Sequence, residues 1–196
     1  MIRLAGSLSI LALSLTACGS PERSETADSG APAATADAGA AATGTGQAAP
    51  TQVVATLQTA QGAAAGTATA TASPDGGVLL RVSGEGLPPG EHGVHVHTTG
   101  RCDAPTFETA GGHWNPTSAQ HGLENPQGQH AGDMPNMTVD ANGRGAIEHP
   151  LKGATLAGLL EGDGSAFIVH ASADDQRTDP SGDSGDRIAC GVFASE

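Results

Sequence analysis

Tyrosine is absent from this chain, and three Phe and one Trp are its only aromatic carbocycles in 196 residues. Cations are scarce too: 8 Lys plus Arg stand against 21 Asp plus Glu, a formal charge of −13. Affinity for phosphate needs clustered Lys and Arg, so this balance argues against a nucleic-acid partner and against a basic membrane-surface role. Long apolar runs are missing beyond the first residues, which excludes a polytopic membrane protein. With 29 Gly and so few aromatics, a long helical bundle is disfavoured and many short strands joined by turns are favoured. The length allows one domain, or one domain plus a tail.

The one apolar run is N-terminal. Arg3 precedes an uncharged stretch from Leu4 to Ala17, 14 residues long, too short for the ~20 that span a bilayer. It reads as a secretory leader over 1–17. Leu15-Thr16-Ala17-Cys18 follows and resembles a bacterial lipobox, which implies cleavage before Cys18 and lipidation of its thiol. That makes the chain an exported periplasmic or cell-envelope lipoprotein anchored in a membrane at Cys18. Gly19, where an Asp would signal inner-membrane retention, points to the outer membrane in a Gram-negative source. Cleavage removes only Arg3 among the charges, leaving 7 cations against 21 anions, or −14. Residues 18–50 then form the lipidated Cys and a linker without Val, Ile, Leu or aromatic residues. Such a segment cannot bury enough apolar surface to offset its ordering entropy, and as a flexible coil it would reach roughly 30 Å.

From Thr51 the texture changes, and 51–196 reads as one folded domain. Gln52–Gln58 is a strand candidate. Gly66–Ala72 alternates Ala and Thr with period two. Pro74-Asp75-Gly76-Gly77 is a turn signal before Val78–Val82. His92–His97, Met137–Val139, Gly145–His149, Ala166–Val169 and Ile188–Phe193 complete the strand set. Many short strands between turn residues predict an all-β sandwich or barrel. No helix is convincing; 151–160 is apolar enough for a turn or two, but Gly153 and Gly158 weaken it. The stretch from Thr98 to Pro135 has little periodicity, and a loop that long in a compact domain is functional or disordered.

Histidine is where the chain is rich, with eight. His95 and His97 share one face of a strand, about 6.6 Å apart along it, while Val96 points into the core. Two such imidazoles can converge on one metal. His113, His121, His130 and Asp133 follow at steps of 8, 9 and 3. Three imidazoles and a carboxylate make a full tetrahedral set of the kind zinc takes in structural sites.

These segments together resemble copper/zinc superoxide dismutases. Gly90-Glu91-His92-Gly93-Val94-His95-Val96-His97 is similar to that family's G-x-H-G-x-H-x-H signature. Gly111-Gly112-His113-Trp114-Asn115-Pro116, His130-Ala131-Gly132-Asp133-Met134-Pro135-Asn136 and Gly185-Asp186-Arg187-Ile188-Ala189-Cys190-Gly191-Val192 are similar to three further family segments. The resemblance covers essentially all of 51–196. It implies an eight-stranded Greek-key β-barrel or sandwich with long metal-binding loops, a superoxide dismutase activity, and one copper and one zinc per subunit. By position, copper falls to His95, His97, His113 and His170, and zinc to His113, His121, His130 and Asp133. His113 would bridge the two, with its copper-side bond breaking on reduction as the imidazole takes a proton. Four imidazoles suit redox-active copper, and the carboxylate suits redox-silent zinc.

The same resemblance implies further roles. Asp174 would accept from His97 or His95 and from His121, fixing their tautomers. His92 would bond backbone and not metal; His149 matches nothing and is read as a surface residue. Arg187 would draw and orient superoxide, the local positive spot that an acidic protein needs for an anionic substrate. Cys102 and Cys190 would form a disulfide, the even pair left in an exported chain after Cys18. One departure stands out. Between His170 and Arg187 the only base is Arg177, against Asp174, Asp175, Asp179, Asp183 and Asp186, where the family often carries lysines. The rate is therefore expected to rest on Arg187, with weak help from Arg177. The envelope's protection from external superoxide is the expected role, and a non-enzymatic copper/zinc-binding module of the same fold is the alternative. Monomer and homodimer both stay open.

Overall fold

Among the residues that the computed structural model describes, 50–74 and 76–195, nine strands are paired antiparallel throughout. They are β1 (Gln52–Thr59), β2 (Ala64–Ala72), β3 (Val78–Gly84), β4 (Gly90–His92), β5 (Val94–His97), β6 (Met137–Val139), β7 (Gly145–Leu151), β8 (Ala166–His170) and β9 (Arg187–Ser195). The expected leader, Cys18 and most of the linker lie outside the described residues.

The sheet runs in the order β4-β6-β7-β3-β2-β1-β9-β8-β5. Its two ends, β4 and β5, are consecutive in sequence, with only Gly93 between them. That break is why nine segments replace the eight expected: Gly93 N–H donates to Ser172 O at 2.8 Å and Gly93 O accepts from His170 N–H at 2.8 Å. The broken strand 90–97 thus pairs with β6 on one side and β8 on the other, and the barrel is nearly closed. After β3 the chain skips two places to reach β4, and β6 and β7 fill back toward β3, a Greek-key connection.

Period-two alternation fills the barrel. Val53, Ala55 and Leu57 of β1, Leu80 and Val82 of β3, Val94 and Val96 of β5 and Phe167 and Val169 of β8 are all buried in one core cluster. Strand β8 is buried at all five positions because its outward residues, Ala166 and Ile168, are covered by a second cluster built on Phe107, Ala110 and Cys190. That cover belongs to the long loop after β5, which is irregular as expected apart from a 3-10 turn at Glu108–Ala110. The Cys102–Cys190 disulfide, Cα–Cα 5.7 Å across 88 residues, ties this loop to β9. One short helix, α1 (Leu156–Leu160), forms in the weak helical stretch. Thr155 caps it by accepting from Gly158 N–H at 2.9 Å, and Leu156 and Leu159 are buried beneath it. His149 is half-buried, not a free surface residue, because it shares a face of β7 with Ile147 and Leu151.

Candidate metal centre

Strand β5 sends Val96 into the barrel, so His95 and His97 face outward. Both are nevertheless buried, because two arms of the long loop dock against β5. Val96 N–H donates to Gly132 O at 3.0 Å, and Trp114 N–H donates to Val96 O at 2.8 Å. These bonds place His113 and Asp133 beside the two strand histidines. A side chain at Gly132 would put its Cβ 2.4 Å from Val96 O, so the approach requires glycine.

Four buried ring nitrogens have no hydrogen-bond partner among the described residues: His95 Nδ1, His97 Nε2, His113 Nε2 and His170 Nε2. They lie within 4.8 Å of one another. In all four rings the other nitrogen is occupied, that of His113 by Asp133 Oδ1 at 2.9 Å. His95 Nε2 meets Asp174 Oδ2 at 2.6 Å, His97 Nδ1 meets Gly111 O at 2.9 Å, and His170 Nδ1 meets Gly185 O at 3.1 Å. Each partner is an acceptor, so the proton sits on the occupied nitrogen and a lone pair faces the centre. An unsatisfied buried polar atom is costly, and four converging ones make a donor set for a cation.

The second set starts from the other side of His113. His113 Nδ1, His121 Nδ1 and His130 Nδ1 lie 2.9, 3.0 and 3.2 Å from Asp133 Oδ1, and the first and last are 3.4 Å apart. Ligands about 2.0–2.1 Å from a tetrahedral metal sit roughly 3.3 Å from each other, so these spacings fit such a site. Asp133 is aimed by its backbone neighbours: Oδ2 accepts from Gly122 N–H and His130 N–H, both at 2.9 Å.

Asp174 joins the two sets. Its Oδ2 takes His95 Nε2, and its Oδ1 takes His121 Nε2 at 3.1 Å. The choice between His95 and His97 thus resolves to His95, since Gly111 O has already taken His97. Asn136 clamps Asp174 through both backbone groups at 2.8 Å. Gly182, at φ +64°, passes so close that a Cβ there would fall 1.8 Å from Asp174 Oδ1. His92 bonds backbone only, Nδ1 to His170 O at 2.7 Å and Nε2 to Pro88 O at 2.8 Å.

Electrostatics follow burial. Desolvation drives His95 down to about 3, against the pull of Asp174, and His170 down to about 4; it also lowers His97 and His113. His121 is desolvated too, but its bonds to Asp133 and Asp174 prevail and raise it to about 9. Burial works to raise Asp133 and Asp174, yet their histidine bonds hold both far below the usual carboxylate range.

A cavity of about 460 Å³ opens onto the first set, lined by His97, His113, His170, Asp179 and Arg187 among others. A larger one of about 670 Å³ adjoins it at Gly185 and Arg187, but no histidine lines it, so the chemistry lies in the smaller. Arg187 donates to Phe107 O and Gly111 O, each at 2.7 Å. Arg177 does not help: it pairs with Glu124. The carbonyls of Phe107, Gly111 and Gly185 are the functional atoms that spelling alone misses, since any residue type supplies a carbonyl.

A buried four-imidazole set sharing one ring with a three-imidazole, one-carboxylate set, on the outside of a Greek-key barrel, defines a two-metal protein with one redox-suited and one structural position. The family model for copper/zinc superoxide dismutase (SODC) matches residues 64–193, and the chain belongs to that family. It is 45% identical over 127 residues to the superoxide dismutase-like protein YojM of Bacillus subtilis, covering 62% of this chain and 65% of that relative. It is 44% identical over 123 residues to superoxide dismutase (Cu-Zn) 2 of Aquifex aeolicus, covering 60% of this chain and 72% of the relative. A crystal structure of a SOD-like protein from Bacillus subtilis superposes with a TM-score of 0.66 at 41% identity, over 72% of this chain and 97% of that one. The family's activity is superoxide dismutation, and its cofactors are copper and zinc.

Proposed function

We propose that this chain disproportionates superoxide at a copper held by His95 Nδ1, His97 Nε2, His113 Nε2 and His170 Nε2. Zinc would be held by His113, His121 and His130 through Nδ1 and by Asp133 through Oδ1. The observation that carries this reading is the four unpartnered buried nitrogens, which otherwise would leave four desolvated lone pairs unmatched. Bound there, copper would supply the one-electron redox chemistry by which two superoxide ions and two protons become dioxygen and hydrogen peroxide.

The remaining work falls to the chain. Arg187 is the catalytic cation: both of its hydrogen bonds go to neutral carbonyls, which leaves its charge free to bind and orient the anion in the cavity. His113 Nε2 is the atom that can take up and return a proton, while Nδ1 stays committed to the zinc set. Asp174 holds His95 and His121 in fixed tautomers, so the copper and zinc sides move as one unit. The His95, His97 and His170 rings, kept neutral by burial, present lone pairs across the working pH range.

The cellular setting is also part of the proposal. The leader over 1–17 and Cys18 support an exported lipoprotein, held in the outer membrane of a Gram-negative cell by its lipid and set off from it by the linker. There it would remove superoxide in the envelope, as a monomer or homodimer. The test is superoxide dismutation by the purified protein loaded with copper plus zinc, against zinc alone. Copper-dependent turnover is expected. Stoichiometric copper binding without turnover would replace the enzyme with a metal-holding module.

A further inference from the structure

Six histidines build the two donor sets, and their outer nitrogens reveal a gap. His113 has none, because both nitrogens belong to the sets. His95, His97, His121 and His170 each have an outer nitrogen hydrogen-bonded to Asp174, Gly111 O, Asp174 and Gly185 O. His130 alone has an outer nitrogen, Nε2, with no hydrogen bond among the described residues. Once Nδ1 is committed to zinc, Nε2 must carry the proton and needs an acceptor.

One carboxylate faces it. Asp179 Oδ1 lies 3.8 Å from His130 Nε2. Asp179 is already tied to the zinc loop, since the same oxygen accepts from His121 N–H at 2.7 Å. Its side chain is half exposed, 51% against 7% for His130, which leaves room for a small rotation about the bond to His121 N–H. A gap of 3.8 Å leaves little room for a bridging water with two bonds of ~2.8 Å, and a shift of about 1 Å closes it to a direct bond. The surrounding backbone holds Asp179 in range: Gly182 N–H donates to Thr178 O at 2.6 Å, and Glu124 N–H donates to Gln176 O at 3.1 Å.

We propose that Asp179 is a positioning residue for zinc, accepting from His130 Nε2–H and holding that ring so that Nδ1 faces the metal. It makes a second carboxylate link, beside that of Asp174, from the last loop to the zinc set. The inference rests on the zinc reading of His113, His121, His130 and Asp133.

The test uses the full chain with its disulfide intact and measures zinc affinity by competition with a chromophoric chelator. It also follows the Nε2 proton of His130 by nuclear magnetic resonance in the zinc-loaded protein. Asp179→Ala is expected to weaken zinc roughly 10–100-fold and to broaden the Nε2 proton by exchange with water. Asp179→Asn keeps an acceptor oxygen and is expected to restore both. Unchanged affinity in Asp179→Ala, or an Asp179→Asn variant no better than it, would overturn the proposal. So would a protected Nε2 proton in Asp179→Ala even with weakened zinc, since the loss would then come from the His121 backbone bond. Failure of the unsubstituted protein to bind zinc would overturn the zinc reading together with this one.

Discussion

Arg187 is held by carbonyls and not by a carboxylate, and its guanidinium shares Gly111 O with the His97 ring. One of the two hydrogen bonds that orient the cation and the one that orients the His97 ring therefore share a peptide group. Arg187→Glu is expected to cut superoxide turnover at least ~10-fold by putting an anion where the substrate binds, with metal content unchanged in elemental analysis; equal turnover would remove Arg187 from the mechanism. Gly182 is the other decisive residue. A methyl group there would strike Asp174 Oδ1, so Gly182→Ala is expected to loosen the Asp174 link and weaken zinc by roughly 10–100-fold in chelator competition. His95, His97, His113, His121, His130 and Asp133 were legible because residue type and spacing carry their chemistry, while His170, Asp174 and Arg187 were legible only through the resemblance to the family's segments. Gly182 and Asn136 were spelled out in the sequence, but their roles depend on how the last loop folds back over Asp174. Asp179 was visible only as one more negative charge.

At the scale of elements, eight strand candidates were legible, most from period-two alternation between turn residues and two, 166–169 and 188–193, as short buried runs. Alternation could not locate the break at Gly93, whose carbonyl bonds His170 at the end of β8 and whose amide bonds Ser172 in the loop beyond it. The long loop after β5 was legible as functional from its length and composition, yet its path was not. That path is fixed by two bonds to Val96, by the disulfide, and by Phe107 packing over Ala166 and Ile168. Since Phe107 O and Gly111 O lie in this loop, the disulfide holds the acceptors of Arg187. Replacing Cys102 and Cys190 by Ser is expected to lower stability by about 4–5 kcal/mol in the chain-entropy account, read by denaturant unfolding. It should also lower turnover at full metal loading. A stable variant with full turnover would show that core packing alone fixes the loop.

For the whole molecule, charge and protons set the behaviour. The chain carries −13 and its substrate is an anion, with Arg177 already neutralised by Glu124. Screening therefore weakens a repulsion, so turnover is expected to hold or rise as ionic strength goes from ~10 to ~150 mM. A steep fall over that range would reveal attractive steering from cations outside the cavity. Metal-free stability has two pH limits. His95 and His170 titrate at about 3 and about 4 in the fold and near ~6.5 when unfolded. The unfolded chain thus binds protons first, and their contribution, full above ~6.5, is lost as pH falls toward 4. His121 is raised to about 9, so its contribution is full below ~6.5 and lost as pH rises through 9. Melting of the metal-free protein should peak near neutrality; a midpoint that climbs steadily from pH 6 to 10 would contradict this assignment.

The central claim is that two metals share His113 and are told apart by the donors around it. Anomalous diffraction from crystals of the copper- and zinc-loaded protein, recorded at both absorption edges, tests this most directly. The account predicts one copper peak among His95 Nδ1, His97 Nε2, His113 Nε2 and His170 Nε2, and one zinc peak against Asp133 Oδ1 and the three Nδ1 atoms. A single mixed peak, or copper and zinc in exchanged positions, would contradict it.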